Sequence, residues 1–210
     1  VFANNGSGVR GDMKAVIRAV LTDSEARDNA NATSTSFGKL REPVVRLTQW
    51  ARAFGVTSPT NQWPFGNTNS TATRLGESPG HAPSVFNFFR PGYTPPGSSV
   101  SAQGLVAPEF QIVNEPSVVA YINYMQTLIA SGAGEAKADY GSLTSLIADS
   151  QALLNELNLV LAANQISAAT ITALKAALDS IAVTTTAGQT NRLYAAITLV
   201  MAAPEYLVQK

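Results

Sequence analysis

Apolar residues recur at helical spacing near both ends of the chain. Close to the start, a helix beginning at Asp12 is predicted by a stripe of five residues: Met13, Val16, Ile17, Val20 and Leu21. A second helix is predicted from Pro43, because proline is tolerated in a first turn, to Gly55, which is placed as a C-terminal cap. The polar segment 29–36 between them is predicted to be a loop. Residues 1–55 are therefore expected to hold two helices.

Residues 118–210 return to helical periodicity. One stripe ends at the Gly132–Gly134 turn, and the next runs over 143–161. Ser167 can cap a further helix, and the last stripe stops before Pro204. We find no convincing alternation of period two, so antiparallel helices with short connections are predicted.

The middle of the chain, residues 56–117, has a different composition. Nine of the 11 prolines lie here, which argues against long regular elements. Seven aromatic residues also lie here: Trp63, Phe65, Phe86, Phe88, Phe89, Tyr93 and Phe110. A disordered linker would leave these rings exposed, so we predict an ordered loop packed on the helices through its rings.

These three zones together predict an all-α fold. We expect one domain over residues 1–210, an irregular bundle of about six or seven helices with one long ordered loop rich in proline, glycine and aromatic residues.

Composition excludes several classes of function. The chain has 14 Lys plus Arg against 14 Asp plus Glu, and only 13% of its residues are charged, which disfavours nucleic acids and anionic membrane surfaces as partners. No apolar run is long enough to span a bilayer. There is no cysteine and one histidine, so we expect no metal site and no cofactor.

The candidates for acid–base chemistry are few. His81 is the single imidazole, and its turn-rich surroundings favour a surface or loop-anchoring role. Glu42, Glu109 and Glu115 border the middle zone, and a pair of them could act on a glycosidic bond. Their alternative roles are structural, because Glu42 and Glu115 lie where helices begin.

The candidates for binding are aromatic and cationic. Trp63, Phe65 and Tyr93 could stack on sugar faces, although core packing is the alternative. Arg41 and Arg90 could bind an anion. The favoured interpretation is structural, an ion pair that holds the loop, with Glu109 or Glu115 as the partner.

The segment Gly6–Gly11 matches the spacing G-x-G-x-x-G of dinucleotide-binding loops. No strand precedes it, and no alternation of strands and helices surrounds it. A flexible loop that leads into a helix is the favoured interpretation.

Several segments together resemble the bacterial domain of unknown function 1800. They include Gly8–Asp12, Leu21–Arg27, Phe37–Pro43, Ser84–Tyr93, Ala107–Ile112, Asn114-Glu115 and Ala203–Tyr206. The resemblance is to the C-terminal part of that family, so this chain is expected to belong to a longer protein. It implies a large, mostly helical, exported bacterial protein in the periplasm or outside the cell, with no established activity.

Two classes of function follow as expectations. The favoured one is a binding or scaffold module that uses residues 60–110 to contact a polysaccharide, a partner protein or the N-terminal half of its own chain. The alternative is a hydrolase or lyase that acts on an extracellular polymer, with Glu42, Glu109 or Glu115 as acid or base and Arg41 or Arg90 stabilising negative charge.

Overall fold

The computed structural model describes residues 1–34 and 37–210. It divides the chain into two compact units, Val1–Lys39 with Lys210 and Leu40–Gln209. Helices dominate the described residues, which contain one sheet of two very short strands. The predicted all-α fold is therefore confirmed. The single domain over residues 1–210 stays a prediction, and each unit is described by itself.

The first unit contains α1 (Met13–Thr22), α2 (Ser24–Arg27) and a 3₁₀ turn over Asn29–Ala32. α1 begins where predicted, because the Asp12 carboxylate accepts the N–H of Ala15 at 3.1 Å and satisfies an amide of the first turn. The 3₁₀ turn occupies part of the predicted loop 29–36, whose residues 35 and 36 lie outside the described ranges.

The apolar stripe of α1 faces outward. Four of its five residues are more than half exposed: Met13, Ile17, Val20 and Leu21. No described residue of the first unit is buried. The periodicity predicted the helix correctly, whereas the surroundings of its apolar face depend on tertiary structure.

The second unit contains the longer helices. Its helices are α3 (Pro43–Ala53), α4 (Ser99–Ala102), α5 (Glu115–Ser131), α6 (Ser150–Ala162), α7 (Ala168–Asp179), α8 (Thr186–Ala202) and α9 (Pro204–Leu207). Two 3₁₀ turns cover Pro108–Gln111 and Gly141–Leu146, and β1 (Lys39–Leu40) pairs with β2 (Val208–Gln209). Six helices in the described residues are ten residues or longer, in line with the prediction.

The core of the second unit forms around α8. This helix packs against α5, α6 and α7, and α6 also packs against α3. The innermost side chains are aliphatic, and Leu154, Leu157 and Ile197 are completely buried. Trp50 of α3 is buried with them and donates its indole N–H to the Tyr140 hydroxyl at 3.0 Å.

The prediction of one helix over 143–161 was wrong. A 3₁₀ turn ends at Leu146 and α6 starts at Ser150. Asp149 causes the new start, because its carboxylate accepts the N–H groups of Gln151 and Ala152. The apolar periodicity continued across this break because both elements bury residues in the same core.

Pro204 does more than end a helix. It occupies the first turn of α9, a single helical turn that follows α8 directly.

The loop between α3 and α5 is ordered, but its rings are not its main anchors. Beyond Phe54, which caps α3, its buried positions are Val56, Thr68, Ile112 and the run Leu75–Ser78. Trp63, Phe86 and Phe110 are exposed, while the other rings are half-buried. The prediction that the rings would pin the loop down is therefore wrong for these three, because buried polar and aliphatic residues anchor it instead.

Candidate functional site

Three of the predicted site residues meet in one cleft. Trp63, Phe65 and His81 line a cavity of about 500 Å³ between the loop and α3. We call it the aromatic cleft; its other lining residues are Val44, Leu47, Thr48, Ala51, Arg52, Gly66, Thr68, Ser78 and Pro79. Its volume falls within the range of about 300–1,000 Å³ that is common for ligand sites. An apolar wall with a few polar groups is also typical of such sites.

Trp63 presents an accessible and oriented ring to this cleft. Its side chain is 49% exposed, and its indole N–H donates to the Asn61 side-chain oxygen at 3.0 Å. Phe65 is half-buried and packs against the core. The cleft therefore combines one ring that is open to a ligand with one that is fixed by the core.

The segment that leads to Trp63 is held by one carboxylate oxygen. Glu135 Oε1 accepts the N–H and hydroxyl of Thr60 at 3.1 and 2.6 Å, the N–H of Gln62 at 3.3 Å, and the hydroxyl of Ser58. These bonds, that from Ser58 foremost, lower the pKa of the Glu135 carboxyl. Glu135 is thus a positioning residue for the aromatic cleft.

A buried acid joins the far side of the loop to α3. The Glu77 carboxylate accepts the backbone N–H of Val44 in the first turn of α3, and the Thr68 hydroxyl donates to the Glu77 carbonyl at 2.6 Å. Burial raises the pKa of Glu77 to about 7. Since Val44, Thr68 and Ser78 line the cleft, these bonds fix the separation of its two walls.

Arg46 lies behind the same wall and is 1% exposed. Its Nε donates to the Arg41 carbonyl at 2.7 Å, and its guanidinium lies 4.8 Å from the centre of the Tyr121 ring. One terminal nitrogen has no hydrogen-bond partner among the described residues. Burial lowers the pKa of this guanidinium. We regard Arg46 as structural because it does not line the aromatic cleft.

A second cleft, of about 460 Å³, adjoins the first along α3. We call it the cationic cleft; it is lined by Arg41, Val45, Thr48, Gln49, Arg52, Ala53, Val160 and Gln209. Arg41 donates to the Gln49 side-chain oxygen and lies 4.6 Å from the centre of the Tyr206 ring. The two clefts share Thr48 and Arg52, which are one helical turn apart.

The other predicted binding residues lie outside both clefts. Arg90 is exposed, and its backbone N–H donates to the Gln111 side chain at 2.7 Å. Tyr93 is half-buried, and its carbonyl accepts the N–H of Ala107 at 2.8 Å. Their predicted binding roles stay predictions.

The predicted ion pairs of Arg41 or Arg90 with Glu109 or Glu115 are wrong. Neither arginine forms an ion pair within the part of the chain that the structure describes. The ion pair found there joins Lys175 to Asp179 at 2.5 Å on α7. Arg41 instead has the amide and ring partners described above.

The predicted catalytic carboxylates are not brought to either cleft. Glu42 precedes the first residue of α3, Glu109 lies in the Pro108–Gln111 turn, and Glu115 is the first residue of α5. None of the three lines the aromatic or the cationic cleft. The enzyme hypothesis based on them stays a prediction.

Sequence reasoning missed Arg52, Glu77 and Glu135. The sequence could have indicated that Arg52 lies beside Thr48, because the two residues are four apart on one face of a predicted helix. Glu77 and Glu135 carried none, since their partners lie 33 and up to 77 residues away along the chain.

The glycine-rich loop of the first unit binds its own side chains. The Asn4 side-chain oxygen accepts the N–H groups of Gly6 and Gly8, and that of Asn5 accepts those of Ser7 and Val9, all within 3.2 Å. Amides that could have held a phosphate are therefore already used. No strand precedes the loop in the structure, which confirms the interpretation of Gly6–Gly11 as a loop leading into a helix.

The first unit also has a groove of its own, of about 670 Å³, lined by Val1, Phe2, Val16, Ala19, Val20, Asp23, Glu25, Ala26 and Phe37. It is larger than the aromatic cleft. None of the predicted catalytic or binding residues lines it, so we do not place the site there.

Fold and clefts together define a mostly helical protein with an aromatic cleft and a cationic cleft along one helix. The chain belongs to the family described as "Protein of unknown function (DUF1800)", whose model matches residues 1–208. No curated protein and no solved structure matches the chain. No helix among the described residues combines the length and the apolar character that crossing a membrane requires.

Proposed function

We propose that the chain is a binding module that holds a glycan in the aromatic cleft. The observation that carries this proposal is the Trp63 ring, which is half exposed, is oriented by Asn61 and stands opposite α3. The apolar face of a sugar ring can stack on such an indole, because both surfaces lose water at little cost in conformational entropy.

The polar groups of the cleft suit a ligand covered with hydroxyl groups. Thr48, Ser78 and His81 lie among the apolar lining residues and can donate to or accept from hydroxyls. The wall that carries Trp63 is already fixed by Glu135, so a ligand meets a largely formed site.

This activity is proposed for an exported bacterial protein of the periplasm or cell surface. The low content of charged residues and the family resemblance support this location. Detecting the native protein by antibody in separated cytoplasmic, periplasmic and extracellular fractions tests it, and a purely cytoplasmic signal would contradict it.

The test of the binding site uses affinity electrophoresis in gels containing cellulose derivatives, xylan, chitosan, alginate or polygalacturonate, together with tryptophan emission. We expect at least one glycan to retard the protein and to change the emission of Trp63. The substitution Trp63→Ala should weaken that binding by about tenfold or more.

The matched control is Phe86→Ala, which removes a ring that is 58% exposed in the same loop but lies outside the cleft. It should leave binding unchanged. Failure of every glycan to retard the wild-type protein, or an equal loss in both variants, would overturn the proposal.

A further inference from the structure

The cationic cleft contains two guanidinium groups and no acidic residue. Arg41 and Arg52 both line it, whereas Asp and Glu are absent from its lining. Within the described residues, neither guanidinium takes part in an ion pair. Among the described residues, positive charge is thus collected in a concave surface whose lining holds no carboxylate.

The two arginines offer different kinds of donor. Arg41 is buried and is held by Gln49 and the Tyr206 ring, so its planar fork is oriented before any ligand arrives. This orientation lowers the entropy cost of binding an anion. Arg52 is exposed, and the structure gives its side chain no hydrogen-bond partner among the described residues. Its donors are free to close over a bound group.

The cationic cleft is continuous with the aromatic cleft through one helix face. Thr48 and Arg52 line both cavities, and four residues of α-helix span about 6 Å along the axis. A chain of sugars whose first ring stacks on Trp63 can therefore extend past Arg52 toward Arg41.

We propose that the preferred ligand is an acidic glycan, with a sugar ring in the aromatic cleft and a carboxylate bound by Arg41 and Arg52. The inference rests on the proposed glycan site and names the class of glycan. Carboxylates match the arginine fork, and hydrogen bonds between two charged groups are stronger than those between neutral ones.

The test compares acidic polysaccharides with their neutral counterparts. Polygalacturonate and alginate are each used alongside a carboxyl-reduced form, in which the acid is converted to an alcohol and the sugar backbone is kept. Affinity electrophoresis should show binding of at least one acid polymer about tenfold tighter than its reduced form. Both forms of that polymer should still require Trp63.

The variant Arg52→Gln removes an exposed cation and should not affect folding. It should bring the ratio of the affinities for the acid and the reduced polymer from about tenfold to near one. Arg41→Lys keeps the charge but loses the fork, and it should weaken the preference in part.

The charge control is the double variant Arg18→Gln with Lys137→Gln. Both residues are exposed and line neither cleft, so it lowers the net charge by more than Arg52→Gln without touching the site. The preference should survive in it. Equal binding of acid and reduced forms by the wild type, or an equal loss in the control, would overturn the acidic-ligand inference but leave the glycan site standing. Absence of all glycan binding would overturn both.

Discussion

Glu77 is a carboxylic acid that the fold encloses almost completely, with 2% of its surface exposed. Burial is the main cause of its raised pKa, and the nearby charge of Glu42 adds to it. The Val44 N–H and the Arg46 charge act in the opposite direction. These two compensate only partly, so the neutral acid is the form that the fold favours.

Because of this raised pKa, the free energy of unfolding should depend on pH through Glu77. A folded pKa of about 7 against an unfolded value of 4.5 means that the folded state binds the extra proton between these values. The free energy of unfolding should therefore fall as the pH rises from about 4.5 to 7, by roughly 3 kcal/mol in all. Urea denaturation at a series of pH values measures it.

Glu77→Gln should remove this slope, because glutamine cannot ionise and can still accept the Val44 N–H. Glu109→Gln, a change at a half-buried carboxyl outside this contact, should retain the slope. A wild-type stability that rises across this window would contradict the assignment.

At the scale of elements, α5 ends in a turn that only glycine fits. Gly132 has φ +70°, and a Cβ placed there would lie 2.3 Å from the Ala136 carbonyl oxygen. The same turn continues through Gly134, where a Cβ would lie 2.9 Å from the Pro64 ring. This turn brings Glu135 to the loop, so the end of one helix builds a wall of the aromatic cleft.

Gly132→Ala should destabilise the protein by about 2 kcal/mol, because it combines a left-handed backbone with a contact against main chain. Gly80→Ala is the matched comparison, since Gly80 has φ +74° but open space around its Cβ position. It should cost less, about 1 kcal/mol. Equal losses by chemical denaturation would show that the Ala136 contact is relieved without cost.

The elements that sequence could predict are those whose ends are marked locally. Asp12 and Ser167 accept amides three residues ahead in the first turns of α1 and α7, and such caps are readable from neighbouring residues. The path of the loop was not predictable in this way. Its bonds to Glu135 and α3 join residues far apart in the chain, and no local pattern encodes such partners.

The same limit applied to the candidate site. Trp63, Phe65 and Arg41 were recognised by residue type, whereas their division between two neighbouring clefts depended on how α3 and the loop pack. Arg90 and Tyr93 have side chains of a type suited to binding, but they lie outside both clefts.

At the scale of the whole molecule, the two units differ in how they bury apolar surface. Leu154 in the second unit is fully buried, whereas Ile17 in the first unit is 55% exposed. Apolar side chains stabilise a fold in proportion to the area that they remove from water. The second unit therefore contains most of the hydrophobic stabilisation of the described structure.

Leu154→Ala should lower the free energy of unfolding by about 2–5 kcal/mol. Ile17→Ala should change it by less than about 1 kcal/mol, because alanine favours helix and little buried area is lost. Urea denaturation followed by circular dichroism measures both. A large loss from Ile17→Ala would mean that the face of α1 is covered in solution.

The four bonds to the single oxygen of Glu135 have a consequence for variation in chain length. They fasten the segment from Ser58 to Gln62 to the end of α5, while Glu77 fastens the next part of the loop to α3. The stretch 96–106, most of which is exposed, lies outside these fastenings and lines neither cleft. Since the entropy of closing a loop grows slowly with its length, insertions or deletions there should leave the cleft unchanged. Variants of this chain with a longer or shorter segment there can thus keep the same binding surface.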